Sequence, residues 1–110
     1  MVHLTEEKIR SAEGLVPSIL TILILKDDGR YMSKCVELDL VTEMDTPEKA
    51  LKAMVEMIQE YAEDYKKREQ LFMKSPNRAH HKPYIDEVNR CKNLWEIYQL
   101  IKVQYGYLHL

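Results

Sequence analysis

The feature that most constrains this chain is a strand-like run that becomes a helix with almost no loop between them. The stretch ELDLVTEMDTPEKA, Glu37 to Ala50, moves from alternating apolar positions into a strong helix start. Thr46 can cap through its hydroxyl, Pro47 suits the first helical position, and Glu48 favours the positive end of the helix dipole. Apolar residues then recur at Ala50, Leu51, Met54, Val55, Ile58, Tyr61, Ala62 and Tyr65, the three-and-four spacing of a helix with one buried stripe. Glu48, Lys52, Glu56, Gln59, Glu60 and Glu63 fall on the other side. A helix of this kind needs an apolar surface to lie on, and the preceding residues supply one.

SILTILIL, residues 18–25, reads as a buried strand rich in β-branched residues, with Pro17 tolerable at its start. KDDGR follows, and an Asp-Gly pair between strand-like runs is a hairpin signal because Gly29 can adopt positive φ. The second strand is expected over Arg30 to Val36, and a third over Leu38 to Thr42. Beyond Tyr65 the helix is expected to end near Phe72, with a loop over 74–83 marked by Pro76 and Pro83. A short amphipathic helix follows from Tyr84 to Cys91. Asn93, with Glu96 three residues later, starts another helical piece, and the alternating end KVQYGYLHL reads as a final strand rejoining the sheet. Residues 1–13 read as a short arm or one loose helical turn. The predicted class is α+β: a small antiparallel sheet, made of a three-stranded meander and a C-terminal strand, with a long helix on one face and one or two short C-terminal helices. At 110 residues the chain is expected to be a single domain, core 15–72 and C-terminal extension 73–110.

The net charge of -2 conceals a split. Residues 1–64 hold seven Lys/Arg and fourteen Asp/Glu, whereas residues 65–110 hold nine and four. Such a chain can offer an acidic surface to a basic partner and a separate basic patch elsewhere. The longest apolar run, Leu15 to Leu25, is broken by Pro17, Ser18 and Thr21 and is too short to span a bilayer; the start MVHLTEEK lacks the form of a signal peptide. Cys35 and Cys91 form no CxxC pair, which suits a reduced, cytoplasmic chain.

Signals for chemistry are weak. Asp39, Glu43 and Asp45 share a parity, but the helix beginning at Thr46 interrupts any common face, and the favoured reading is a solvated sheet edge and helix entrance. His80 and His81 are adjacent, so they point in different directions, and with His3 and His109 they show no zinc spacing; a surface loop is the expected setting. No catalytic residue, metal or cofactor is assigned. Lys66, Lys67, Arg68, Lys74, Arg78 and Lys82 could engage phosphates, with Phe72 and Tyr84 near enough to stack on bases, although a solvated helix end is the simpler reading. Trp95, Tyr98, Tyr105 and Tyr107 are expected in core or dimer-interface packing, and Met54, Met57 and Met73 as core and rim filler.

The order strand, Asp-Gly turn, strand, then ELDLVTEMDTPEKALKAMVEMIQEYAEDY resembles the HicB antitoxin family. The matching residues are Gly29, Tyr31, Cys35, Leu38, Val41, Asp45, Thr46, Glu48, Ala50, Leu51, Glu56 and Tyr61, within residues 18–65. The chain has Met44 where the family often has Gly, and residues 66–110 show no ribbon-helix-helix or helix-turn-helix pattern, which leaves operator DNA without an evident reader. The resemblance implies a partial ribonuclease-H-like fold, dimerisation, and a small basic ribonuclease toxin (HicA-like) as partner, neutralised by occlusion and not by catalysis. Asp39, Glu43, Asp45, Glu48, Glu56 and Glu60 are the expected partner contacts, from charge and position. Two other functions stay open at this stage: an orphan oligomerisation module without a toxin, and a nucleic-acid-binding protein using the basic segment 66–82.

Overall fold

A computed structural model describes residues 17–108. The segment 1–13 and the residues His3 and His109 lie outside them. Four strands form one mixed sheet among the described residues: β1 (Leu20–Asp27), β2 (Arg30–Cys35), β3 (Leu40–Met44) and β4 (Ile101–Tyr107), in the order β3-β2-β1-β4. The meander β1-β2-β3 is antiparallel, as the Asp-Gly turn requires. Asp28 and Gly29 both have positive φ, 46° and 81°, the pattern of a two-residue turn whose twist matches the flanking strands. The final strand rejoins the sheet parallel to β1, in register from Leu20↔Ile101 to Lys26↔Tyr107. Parallel neighbours need a long crossover, and the helical segment between β3 and β4 provides it.

That crossover opens with α1 (Pro47–Lys67), whose start follows the sequence: the Lys49 N–H donates to Thr46 Oγ1 at 3.1 Å, and Pro47 occupies the first turn. Ala50, Met54, Val55, Ile58, Tyr61, Ala62 and Tyr65 are buried, and Leu51 is half-buried against them. The expected helix end near Phe72 is interrupted at Arg68, which leaves helical φ/ψ before the short α2 (Glu69–Met73). The break lets Phe72 fold back and stack on Tyr65, ring centroids 4.9 Å apart and planes 12° from parallel. A 3₁₀ turn, Ala79–His81, leads into α3 (Lys82–Arg90), and α4 (Leu94–Gln99) begins where expected, with the Glu96 N–H donating to the Asn93 side chain at 3.0 Å.

All helices with buried residues contribute to one apolar cluster, from Leu20, Ile22 and Ile24 of β1 through the α1 stripe to Ile85, Val88, Ile97 and Leu100. The register places Cys35 and Ser33 beside Ile22 and Ile24 on the same face. Leu38, expected in the third strand, is instead buried in the turn before it, and β3 begins two residues later. Glu37 ties that turn to β1 by accepting from the Thr21 N–H at 2.6 Å and the Thr21 hydroxyl at 2.9 Å.

Two substitutions test this packing. Thr46→Ala removes the cap of α1 and should lower unfolding stability by about 1 kcal/mol in chemical denaturation. Ser33 is buried beneath α1, with no hydrogen-bond partner for its hydroxyl among the described residues. Ser33→Ala should therefore preserve stability or raise it, and a clear loss would contradict this account of the core.

Candidate functional site

Since every helix that contributes to the core lies on one face of the sheet, the described residues leave the other face uncovered. Leu23 and Leu25 of β1, Met32 of β2 and Val41 of β3 alternate with the core residues of their strands and point away from the helices. Val36, just past β2, is 46% exposed and Val41 is 49% exposed. Charge on this face is largely self-paired: Arg30 Nε sits 3.2 Å from Glu43 Oε1, and Lys34 Nζ 3.8 Å from Asp39 Oδ1. The result is an apolar strip with a neutralised rim.

The acidic residues expected to contact a partner separate into two sets. Asp39, Glu43 and Asp45 each meet a different cation, the last pairing with Lys49 at 3.2 Å, an interaction that holds the Asp45 carboxyl below its usual range. They do not converge on a common point, so they form no cluster suited to metal-assisted hydrolysis. Among the described residues, no group of three or more His, Cys, Asp or Glu is placed to hold a metal ion. Glu48, Glu56 and Glu60 line the outer side of α1, exposed and without a cation partner among the described residues. Glu43 thus lies on the open sheet face and Asp39 in the turn before β3, whereas Asp45 pairs with Lys49 in the first turn of α1, next to Glu48.

The basic segment is also divided. Arg68 Nε donates to Asp64 at 3.0 Å, which lowers the Asp64 pKa, and Lys82 donates to Glu69 at 2.7 Å and to Asp86 at 3.2 Å. Arg78 lies over the rings of Tyr61 and Phe72, at 5.3 and 5.9 Å. Of the basic residues in this segment, Lys66, Lys67 and Lys74, flanking an open cleft at the α1–α2 break, keep ammonium groups without a carboxylate among the described residues. Phe72, a suggested base-stacking residue, is already packed between Tyr65 and Tyr61.

One side-chain placement corrects the sequence reading. His81 does not lie in a surface loop: it is 98% buried by virtue of the 3₁₀ turn, and its Nδ1 shares a 2.7 Å hydrogen bond with the Tyr61 hydroxyl. The pair could have been suspected only from a polar Tyr on the buried stripe, which needs a partner. Trp95, expected in core or dimer-interface packing, stays outside the core, because in α4 the inward positions are Leu94 and Ile97, leaving the indole 70% exposed. Tyr105 and Tyr107 sit at the far end of β4, beyond the reach of the core, and are also exposed. Cys35 is buried under α1, and desolvation pushes its thiol up to about 11, which makes it a poor nucleophile.

Burial lowers the pKa of His81, helped by the neighbouring His80 and Arg78 and opposed by Asp39. The neutral ring is favoured in the fold, whereas an unfolded histidine titrates near 6.5. Protons therefore bind more readily to the unfolded chain, and stability should fall as pH drops through about 6.5 towards the lower folded value. Urea midpoints measured across that window should decline in the wild type, and His81→Gln should flatten the slope. An unchanged slope in the variant would assign the acid sensitivity elsewhere.

Comparisons with known proteins agree with a binding role. A family model described as antitoxin of toxin–antitoxin, RelE/RelB, TA system matches residues 19–103. A crystal structure described as the antitoxin part of a toxin/antitoxin system proposed in Syntrophomonas wolfei subsp. wolfei is similar to this chain, with a TM-score of 0.71 and 26% sequence identity. The similarity covers 96% of this chain and 75% of that one. No curated protein matches. With a core, a split surface charge and a family match that spans most of its length, the chain belongs to the Phd-like family, antitoxins of RelE/RelB toxin–antitoxin systems.

Proposed function

We propose that this antitoxin is non-enzymatic, dimerises, and neutralises a small basic ribonuclease toxin of the HicA-like kind by covering its surface. The observation that carries the reading is the outer side of α1, where Glu48, Glu56 and Glu60 stand exposed with no cation of their own among the described residues. Unpaired charge on a rigid helix is available to a partner of opposite sign, steering encounter and fixing register. Asp39, Glu43 and Asp45, each already paired within the chain, would form the secondary part of the contact. The mixed sheet, antiparallel over three strands and parallel at β4, is compatible with the partial ribonuclease-H-like fold that the HicB resemblance implies.

The uncovered sheet face suits a different occupant. Its apolar strip has self-paired charge, so it offers little to select a basic toxin, but it can bury itself against a second copy of the same strip. Two free cysteines, Cys35 buried and Cys91 half-buried, suit a reducing cytoplasm. No helix among the described residues is long and apolar enough to cross a membrane. Use of the basic segment on nucleic acid is less favoured, because Arg68, Arg78 and Lys82 are engaged within the chain.

The decisive measurement pairs the protein with the small basic protein encoded next to its gene. Wild type should block RNA cleavage, and the triple variant Glu48→Lys/Glu56→Lys/Glu60→Lys should bind at least about tenfold more weakly, with the loss in on-rate greatest at low salt. Equal inhibition by the variant would move the contact off α1, and no complex at micromolar concentration would overturn the reading. In sedimentation, the wild type should be dimeric and Val36→Lys/Val41→Lys monomeric; a monomeric wild type removes dimerisation from the proposal.

A further inference from the structure

Between the β2–β3 turn and the 3₁₀ turn lies a cavity of about 240 Å³ walled by Leu38, Asp39, Asn77, Arg78 and His81. We propose that this cavity binds a small anionic group, a phosphate or a carboxylate, through Arg78, His81 and Asn77. His81 is 98% buried. Its Nδ1 meets the Tyr61 hydroxyl at 2.7 Å, and the ring borders the cavity.

A buried imidazole held at one nitrogen and bordering a cavity is oriented to meet a group inside it. Arg78 supplies the charge. Its guanidinium is braced over Tyr61 and Phe72 but has no carboxylate among the described residues, which leaves its planar donor fork available for a bidentate contact. The Asn77 amide, without a hydrogen bond among the described residues, adds a neutral donor. Asp39 is the one opposing group, and its largely exposed carboxylate is compensated by Lys34 at 3.8 Å. Leu38, buried beneath, closes the floor and lowers the local dielectric, which strengthens any charge-assisted hydrogen bond formed there.

The test is an NMR titration of the labelled full chain with inorganic phosphate and, separately, acetate at constant ionic strength, following the His81 ring with His80 as internal control. A saturable shift at His81 and not at His80 is expected, weakened by at least about fivefold in Arg78→Gln. Saturation by phosphate alone assigns the site to phosphoryl groups, and saturation by acetate alone assigns it to carboxylates; saturation by both supports the shared anion chemistry. Shifts that stay linear in both titrations, that appear equally at His80, or that persist unchanged in Arg78→Gln would overturn the proposal. Should Arg78→Gln fail to fold, Asn77→Ala, at an exposed side chain without hydrogen bonds, decides the matter by the same weakening or its absence.

Discussion

The burial of one helical stripe against one face of a small sheet is the interaction on which this structure depends. Ala50, Met54, Val55, Ile58, Tyr61, Ala62 and Tyr65 remove their apolar surface from water only because Leu20, Ile22 and Ile24 offer a matching face. Dispersion and the hydrophobic effect together favour such contact for each side chain, and neither partner could be stable alone: the meander has one bare side and the helix one greasy side. With the helices all gathered on that face, the opposite side of the sheet has nothing to rest on within the described residues. The outer side of α1 is likewise committed to water or to a partner.

Those two surfaces differ in the physics by which they could bind. The apolar strip around Leu23, Leu25, Met32 and Val41 gains from excluding water and is indifferent to long-range charge. In the proposed function the glutamates of α1 would act at a distance, raising the encounter rate with a basic partner and losing that effect as salt is added. An antitoxin needs both a way to find its toxin and a way to hold an assembled state, and the proposed function assigns the first to the glutamates of α1 and the second to the open sheet face. The cavity at His81 belongs to neither surface. It forms where the β2–β3 turn meets the 3₁₀ turn, held in place by the Tyr61 hydrogen bond that grows out of the buried stripe.

Elements governed by neighbours in sequence were legible before any coordinates. The cap at Thr46, the Asp28–Gly29 turn and the cap at Asn93 each depend on local hydrogen bonds or backbone sterics, and each appears where the residues indicate. The stripe of α1 was legible for the same reason, since helical periodicity is a property of the chain itself. Features set by distant contacts were not. Trp95, a large aromatic that would ordinarily be placed inside, is excluded because Leu94 and Ile97 already use the inward side of a six-residue helix. The break at Arg68 answers to the stacking of Phe72 on Tyr65, a contact spanning seven residues that periodicity alone does not register. His81 looked like a loop residue because its burial is created by Tyr61, twenty positions away.

The amino-acid sequence by itself determined the kinds of element, their order, and the separation of an acidic first part from a basic second one, because caps, turns, periodicity and charge are written locally. The tertiary structure alone decided that β4 runs parallel to β1, since strand direction there depends on where the helical crossover returns the chain. It also decided which charges remain available: an aspartate or lysine is spent or free according to what folding brings within about 4 Å of it. Glu43 and Arg30, thirteen residues apart, cancel across a hairpin, whereas Glu56 and Glu60 stay open on α1, a distinction that only the folded chain can make.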